Sequence, residues 1–193
     1  KTNRTVSIKI AALIAAIVLV IGCTAGGTVA WLVSKPAPIT NVFTVGNINA
    51  TLTEEAKEFK IVPGVDIAKD PVATVKAKSE DCYLFVQLTE ENWPAFTETG
   101  STTRKVKYEI AKGWTKLESV DGVYYREVTK NDKADQNFPV LQDDKVTVSS
   151  TLTKENADAI RNGDTPKLTV AVYAVQKEGM GSAAKAWETA KDN

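Results

Sequence analysis

The chain has 193 residues with 24 basic and 24 acidic side chains, and it contains no histidine. Residues 1–30 hold three of the basic residues and none of the acidic ones, so the other 163 residues carry 21 basic and 24 acidic side chains. That length suits one domain with a single core. A weakly acidic domain without a basic block is a poor nucleic-acid binder, and a chain without histidine lacks the usual catalytic base and zinc ligand.

The first thirty residues have the organisation of a secretory signal. Three basic residues lie near its start: Lys1, Arg4 and Lys9. Residues 10–21 are all isoleucine, alanine, leucine or valine. We therefore predict a signal peptide over residues 1–30, with an n-region at 1–9 and an h-region at 10–22.

The end of this segment predicts a cleavage site. Thr28 and Ala30 are the two small residues that a signal peptidase needs, so we expect cleavage between Ala30 and Trp31. Two other outcomes stay open. Residues 20–23 fit a lipobox in which Cys23 would be lipidated, and the apolar run is long enough to remain as an uncleaved transmembrane helix.

The part that follows the signal is predicted to be all-β. An extended arm at residues 31–41 leads into a domain at 42–193, and Phe43, Val45, Ile48, Ala50 and Leu52 alternate as one inward row interrupted by Gly46. Further predicted strands cover 59–62, 72–78, 82–88, 105–110, 122–129, 145–151 and 167–176. Because no strand–helix–strand rhythm separates them, we expect an antiparallel jelly-roll-like β-sandwich.

Two short peripheral helices are predicted beside the sheets. The first begins at Thr153, whose hydroxyl can cap the backbone of Asn156, and ends at residues 162–163. The second begins at Ser182 and carries Trp187 as its packing anchor against the sandwich. Residues 90–101 are expected to form a long loop held partly by aromatic side chains.

No single side chain in the sequence indicates a catalytic or metal-binding site. Cys82 lies in an apolar run, has no partner for an intramolecular disulfide once Cys23 is removed, and is expected to be buried and inert. Residues 131–137 offer oxygen atoms for calcium but lack the pattern of an EF-hand, so a solvated turn is expected. Of Tyr124 and Tyr125, one should face the core and the other the outside. We predict no catalytic residue, no metal and no cofactor.

The N-terminal third of the chain resembles exported proteins of Gram-positive bacteria that depend on the signal peptidase SipW. The resemblance lies in residues 26–32 (GGTVAWL), 41–48 (NVFTVGNI) and 52–54 (LTE). Weaker similarities follow in order at 62–64 (VPG), 69–71 (KDP), 79–83 (SEDCY) and 171–176 (AVYAVQ). The family includes the TasA biofilm fibre proteins and the camelysin group.

The resemblance implies a jelly-roll domain that is exported to the cell surface or biofilm matrix, cleaved by SipW and assembled into fibres. Camelysin-type proteins have been classed as metallopeptidases, but zero histidines and no zinc motif argue against an enzyme here. A monomeric surface-displayed adhesive module, using the 90–101 loop or the face of Tyr125, is the alternative. Membrane contact is expected only through an uncleaved N-terminal segment or a lipidated Cys23.

The arm itself suggests how subunits would join. Trp31, Leu32 and Val33 would form an apolar N-terminal tip, and Pro36 and Pro38 keep the following residues extended. Such a donor arm can add as a strand to an open sheet edge of a neighbouring subunit, which gives filaments by self-association. The alternative is that the arm packs on its own domain as a first strand.

Overall fold

The computed structural model describes residues 33–34, 41–55, 59–93, 103–161 and 166–191. All of them belong to the unit Leu32–Asn193. The predicted signal peptide at 1–30, with Cys23 and the Thr28, Ala30 and Trp31 cleavage residues, lies outside the described residues, as does Leu32 of the arm.

The described residues are mostly strand, which confirms the all-β class. The strands are β1 (Val33–Ser34), β2 (Asn41–Val45), β3 (Ala50–Thr53), β4 (Phe59–Lys60), β5 (Ile67–Ala68), β6 (Val72–Val75), β7 (Cys82–Glu91), β8 (Val106–Lys107), β9 (Thr115–Lys116), β10 (Val123–Val128), β11 (Gln136–Pro139), β12 (Lys145–Val148) and β13 (Lys167–Gln176). The helices are α1 (Lys154–Arg161) and α2 (Ala183–Lys191). Within the described part of the chain, no helix is long and apolar enough to cross a membrane.

The main sheet has five strands in the order β2-β13-β7-β10-β9. Its centre is the long antiparallel pair of β7 and β13, which runs from Cys82 opposite Gln176 to Glu91 opposite Lys167. Residues 82–86 are buried without alternation. A strand reads as such a continuous apolar run when both of its faces are covered, so β7 lies in the middle of the core.

One pairing in this sheet is parallel. Strand β2 runs alongside β13 in the same direction, from Asn41 opposite Ala171 to Val45 opposite Val175. The expectation of a purely antiparallel sheet is wrong at this pair. Tight hairpin turns force neighbouring strands to run in opposite directions, and β2 and β13 are the two ends of the domain with no turn between them.

Both faces of the main sheet are covered, and α2 covers one of them. On one face, α2 buries Trp187 against Phe85, with ring centroids 5.4 Å apart, and against Tyr173 at 4.9 Å. On the other face, Leu84, Val86 and other side chains of β7 and β13 are fully buried. Trp187 is therefore the packing anchor that the sequence predicted.

Two three-stranded sheets and one two-stranded sheet complete the domain. Their orders are β11-β6-β3, β5-β12-β8 and β1-β4, all with antiparallel pairs. A buried ion pair joins the first two of these sheets: Lys69, directly after β5, donates to Glu54, directly after β3, at 2.6 Å. The main-chain N–H of Lys69 also donates to the carbonyl of Asp144 at 2.8 Å, which lies beside β12.

The predicted single row from Phe43 to Leu52 is wrong. It forms two strands in different sheets, because β2 ends at Val45 and β3 begins at Ala50. Gly46 follows the end of β2 with a φ of 95°, a left-handed conformation that leaves the extended backbone. Ile48, Ala50 and Leu52 are buried as expected, but Ala50 and Leu52 belong to the second sheet and Ile48 lies in the connection before it.

Other predicted boundaries hold to different degrees. The strand at Lys167–Gln176 and both helices are confirmed, and the hydroxyl of Thr153 accepts from the N–H of Asn156 at 3.4 Å. The strands predicted at 105–110 and 59–62 each shrink to two residues. Strand β11 was not predicted, because its residues partly overlap the polar segment 131–137 and end at Pro139.

Candidate functional site

The first candidate site is the edge of the main sheet formed by β2. This strand is the terminal member of its sheet, so within the described residues one of its main-chain edges has no strand partner. Val42, Phe43 and Val45 are partly buried and Thr44 is exposed. The ring of Phe43 stacks on Tyr173 at 4.9 Å with an interplanar angle of 14°, which fixes the strand on β13.

Two other sheet edges among the described residues are protected. At the opposite edge of the main sheet, β9 has only two residues, both exposed. In the second sheet, the edge strand β11 ends at Pro139, which has no N–H to donate. Short strands and proline are devices that block edge pairing, so among the described edges β2, with five residues, and β3, with four, are the ones best able to accept another strand.

The arm precedes this edge directly in the sequence. Of its proposed apolar tip, only Val33 is described; it pairs with Lys60, and Ser34 pairs with Phe59, within the same chain. This is the arrangement expected if the arm packs on its own domain as a first strand. The pairing is two residues long, and the strand it pairs with is equally short.

The second candidate site is an open groove of about 690 Å³ on the main sheet. Three of its side chains form one network: Arg104 Nη1 lies 2.6 Å from Glu90 Oε1, and the Tyr108 hydroxyl donates to the same oxygen at 2.7 Å. Burial, followed by the hydrogen bond to Glu90, raises the pKa of Tyr108 above its usual range. The hydrogen bond to Glu90 also raises the pKa of Arg104.

The other wall of the groove comes from β10 and the turn before it. Tyr124 lines it together with Lys116 and Asp121, whose charged atoms are 3.6 Å apart. Tyr125 packs instead against the core cluster around Phe85 and Trp187. The adhesive face was expected at Tyr125. Alternation along β10 turns Tyr125 inward and Tyr124 toward the groove, so the groove exposes Tyr124 and not Tyr125.

The predicted loop at 90–101 is only partly present as a loop. Strand β7 continues to Glu91, and Trp93 is buried with its Nε1 donating to the carbonyl of Val106 at 3.0 Å. Trp93 also meets Tyr108 edge to face at 5.8 Å. Residues 94–101 lie outside the described residues.

Single side chains behave as the sequence predicted. Cys82 is fully buried, and burial raises the pKa of its thiol to about 12, so it is not a nucleophile at ordinary pH. In the polar segment, Asn131 accepts from the N–H groups of Lys133 and Ala134 at 3.0 and 3.3 Å. Asp135 accepts from the N–H of Ala77, and the segment forms a hydrogen-bonded turn.

The described residues were expected to hold no metal ion. Among residues 33–34, 41–55, 59–93, 103–161 and 166–191, no three cysteine, aspartate or glutamate side chains lie close enough together to hold a metal ion. The expectation that the chain is not an enzyme stays a prediction.

Two features were missed in the sequence. The buried Lys69 and Glu54 pair joins residues 15 positions apart across two sheets, and nothing in their spacing marks it. Arg126 lies over the rings of Trp114 and Phe138, which come from separate segments. The groove residues Glu90, Arg104 and Tyr124 are equally scattered, so only the fold brings them together.

Comparison with known proteins adds no relationship. No protein-family model, curated protein or solved structure matches this chain.

Proposed function

We propose that the chain is a structural protein of the cell surface or biofilm matrix, exported through SipW and cleaved beside Trp31. Its subunits join when the N-terminal arm of one adds as a strand to a neighbour. In this proposal the described sheets form a jelly-roll-like sandwich that serves as the body of each subunit. The sequence resemblance and the open edge of β2 support it.

The observation that carries the proposal is the position of β2. The first long strand of the domain lies at the edge of the main sheet, and residues 31–40 lead directly into it. An incoming strand gains main-chain hydrogen bonds along a five-residue edge. Within the described residues, the arm pairs with its own chain at Val33 and Ser34.

The geometry of such exchange gives an open chain. In the proposed exchange the arm of each subunit joins the acceptor edge of the next one, so every added subunit presents a new acceptor. Head-to-tail contacts of this kind do not close into a dimer and produce filaments. The C-terminal strand β13 holds β2 in place through the stacked pair of Tyr173 and Phe43.

The test is polymerisation of the cleaved protein with and without residues 31–35, followed by negative-stain electron microscopy. We expect filaments from the intact arm and none from the shortened protein. The shortened protein still has an acceptor edge and no donor, so a small fraction of it mixed with intact subunits should cap growing ends and shorten the filaments. Unchanged polymerisation after the deletion would refute the donor-arm mechanism.

A second function is favoured by the groove. Its Tyr124 ring beside the Glu90 and Arg104 pair offers an apolar face next to charged hydrogen-bonding groups, which suits adhesion by a monomer. Size-exclusion chromatography separates the two proposals. A shift to large species with rising concentration supports the fibre, and a monomer at all concentrations supports the adhesive module.

The camelysin-type peptidase is the weakest proposal. Its support is the family resemblance alone. The test is cleavage of casein by the purified chain. Peptidase activity would be established if a chelator abolishes the cleavage and if the activity co-purifies with the chain and not with a contaminant.

A further inference from the structure

Arg126 is held against two aromatic rings. It lies on β10, and its Cζ is 4.1 Å from the ring centroid of Phe138 on β11 and 5.1 Å from that of Trp114. The indole of Trp114 is itself fixed, because its Nε1 donates to the carbonyl of Pro139 at 2.8 Å. The guanidinium is therefore positioned by side chains from three segments of the chain.

The backbone beside it leaves room for the guanidinium. Gly113 has a φ of 89°, and a Cβ placed there would lie 2.4 Å from Arg126 Nη2. Any other residue at this position would push the guanidinium from its place over the rings.

Arg126 has no anionic partner within the described residues. No hydrogen bond or ion pair of its guanidinium is found there, whereas Arg104 is held by Glu90 at 2.6 Å. Half-burial also lowers the pKa of Arg126, because removing the cation from water is not offset by a nearby carboxylate. A guanidinium has five N–H donors in one plane, and aromatic rings do not satisfy them.

The segments that hold the two aromatic partners carry no acidic side chain, and Glu109, Asp135 and Asp143 directly flank them. The segment 110–116 contains Lys112 and Lys116 and no acidic residue, and the segment 136–142 has no charged residue. On β10 the adjacent acid is Glu127, which alternation places on the opposite face, where it pairs with Lys177. An anion that approaches Arg126 therefore meets no nearby carboxylate from these segments.

We propose that Arg126, assisted by the exposed Lys112, binds a carboxylate group of an extracellular ligand. A rigid guanidinium matches the planar oxygens of a carboxylate with two parallel hydrogen bonds. Two sources carry this group, an acidic polysaccharide and an acidic side chain of a second copy. The proposal goes beyond assembly by the arm and does not depend on it.

The first experiment measures binding of sodium polygalacturonate to the full chain by calorimetry at low salt. We expect Arg126→Gln to weaken binding about tenfold or more, because hydrogen bonds between charged groups are lost. Lys177→Gln is the matched control: it removes one positive charge from a side chain that is already paired, with Glu127, and should leave the affinity within about twofold. Fully methyl-esterified polygalacturonate should not bind.

The second experiment tests whether the carboxylate comes from a second copy of the chain. Sedimentation velocity compares self-association of the intact chain with that of Arg126→Gln and Lys177→Gln. If the polymer does not bind but only Arg126→Gln weakens self-association, the carboxylate belongs to a second copy. Equal behaviour of both variants in both assays overturns the proposal.

A measurement on the unaltered chain covers the case in which Arg126→Gln does not fold. The ¹⁵N–¹H signal of the Arg126 side-chain Nε, assigned with Arg126→Lys, is followed during titration with digalacturonate and with a glutamate-rich peptide. A saturable shift of that signal, without a shift of the Arg104 signal, supports the carboxylate site. No shift with either ligand overturns it.

Discussion

Cys82 has no exposed surface in the centre of the main sheet. Burial, with a smaller contribution from the Asp81 carboxylate, raises the pKa of its thiol from 9.0 to about 12. The thiolate is therefore stable only in the unfolded chain, where water and not apolar side chains surrounds it. Because the folded state holds the proton more tightly, the stability linked to Cys82 is present below the unfolded pKa and is lost as pH rises toward the folded one.

We predict that the free energy of unfolding falls between pH 9 and pH 11, and that Cys82 accounts for about 2 kcal/mol of that fall. Urea titrations at several pH values measure it. In Cys82→Ala the same pH change should produce a smaller fall, although the variant starts from a lower stability because it leaves a small cavity. Parallel curves for the two proteins would contradict the assignment.

At the level of elements, the turn before β10 depends on a glycine. Gly122 has a φ of 73°, and a Cβ at this position would lie 2.4 Å from the carbonyl oxygen of Leu88. That approach lets Leu88 donate its N–H to the carbonyl of Gly122 at 2.8 Å. This hydrogen bond holds β10 against β7 at one end of their pairing.

We predict that Gly122→Ala destabilises the fold by about 3 kcal/mol, because left-handed strain adds to a clash with backbone that cannot move away. Gly179 offers a matched control: its φ is 80°, and a Cβ there would meet nothing within 4 Å. Gly179→Ala should therefore cost only the conformational strain, about 1 kcal/mol. Thermal unfolding of both variants measures the difference, and equal losses would refute the steric argument.

The elements that the sequence predicts well are those whose pattern is set by their own residues. Strand β13 is confirmed over Lys167–Gln176 because β-branched and apolar residues run without interruption between charged ends. Helix α2 is confirmed because Ala183, Ala186 and Trp187 share one face. The row from Phe43 to Leu52 failed because alternation continues across Gly46, and only backbone conformation shows that the strand ends there.

The candidate sites were less predictable than the strands. β2 is an edge strand because of the strands that lie beside it. Its parallel partner is 130 positions away, since Asn41 pairs with Ala171, and such a distant pairing leaves no local pattern in the sequence. The groove and the Arg126 site each combine three or more separate segments. Residue types were visible in the sequence, but their proximity was not.

At the scale of the whole molecule, a buried ion pair among the described residues joins two of the sheets. The side chains of Lys69 and Glu54 are only 8% and 9% exposed, and they lie 2.6 Å apart between the second and third sheets. A buried charge that loses its partner retains the cost of removal from water. The junction between the sheets therefore depends on both members of the pair.

We predict that Lys69→Met lowers the free energy of unfolding by about 3 kcal/mol, because Glu54 is left buried without its cation. The double variant Lys69→Met with Glu54→Leu should recover most of the loss, since two apolar side chains need no partner. Urea denaturation of both proteins gives the comparison. A double variant as unstable as the single one would show that packing, and not charge, holds this junction.

The parallel pairing of β2 and β13 also determines when the molecule can fold. The first long strand and the last strand are neighbours, and β7 needs β13 for one of its two edges. A growing chain that stops before residue 167 therefore has no partner for β2 and an unsatisfied edge on β7. Closing such long-range contacts is slow, so the main sheet forms only after synthesis of nearly the whole chain. Until then β2 and β7 lack the partner that completes the main sheet.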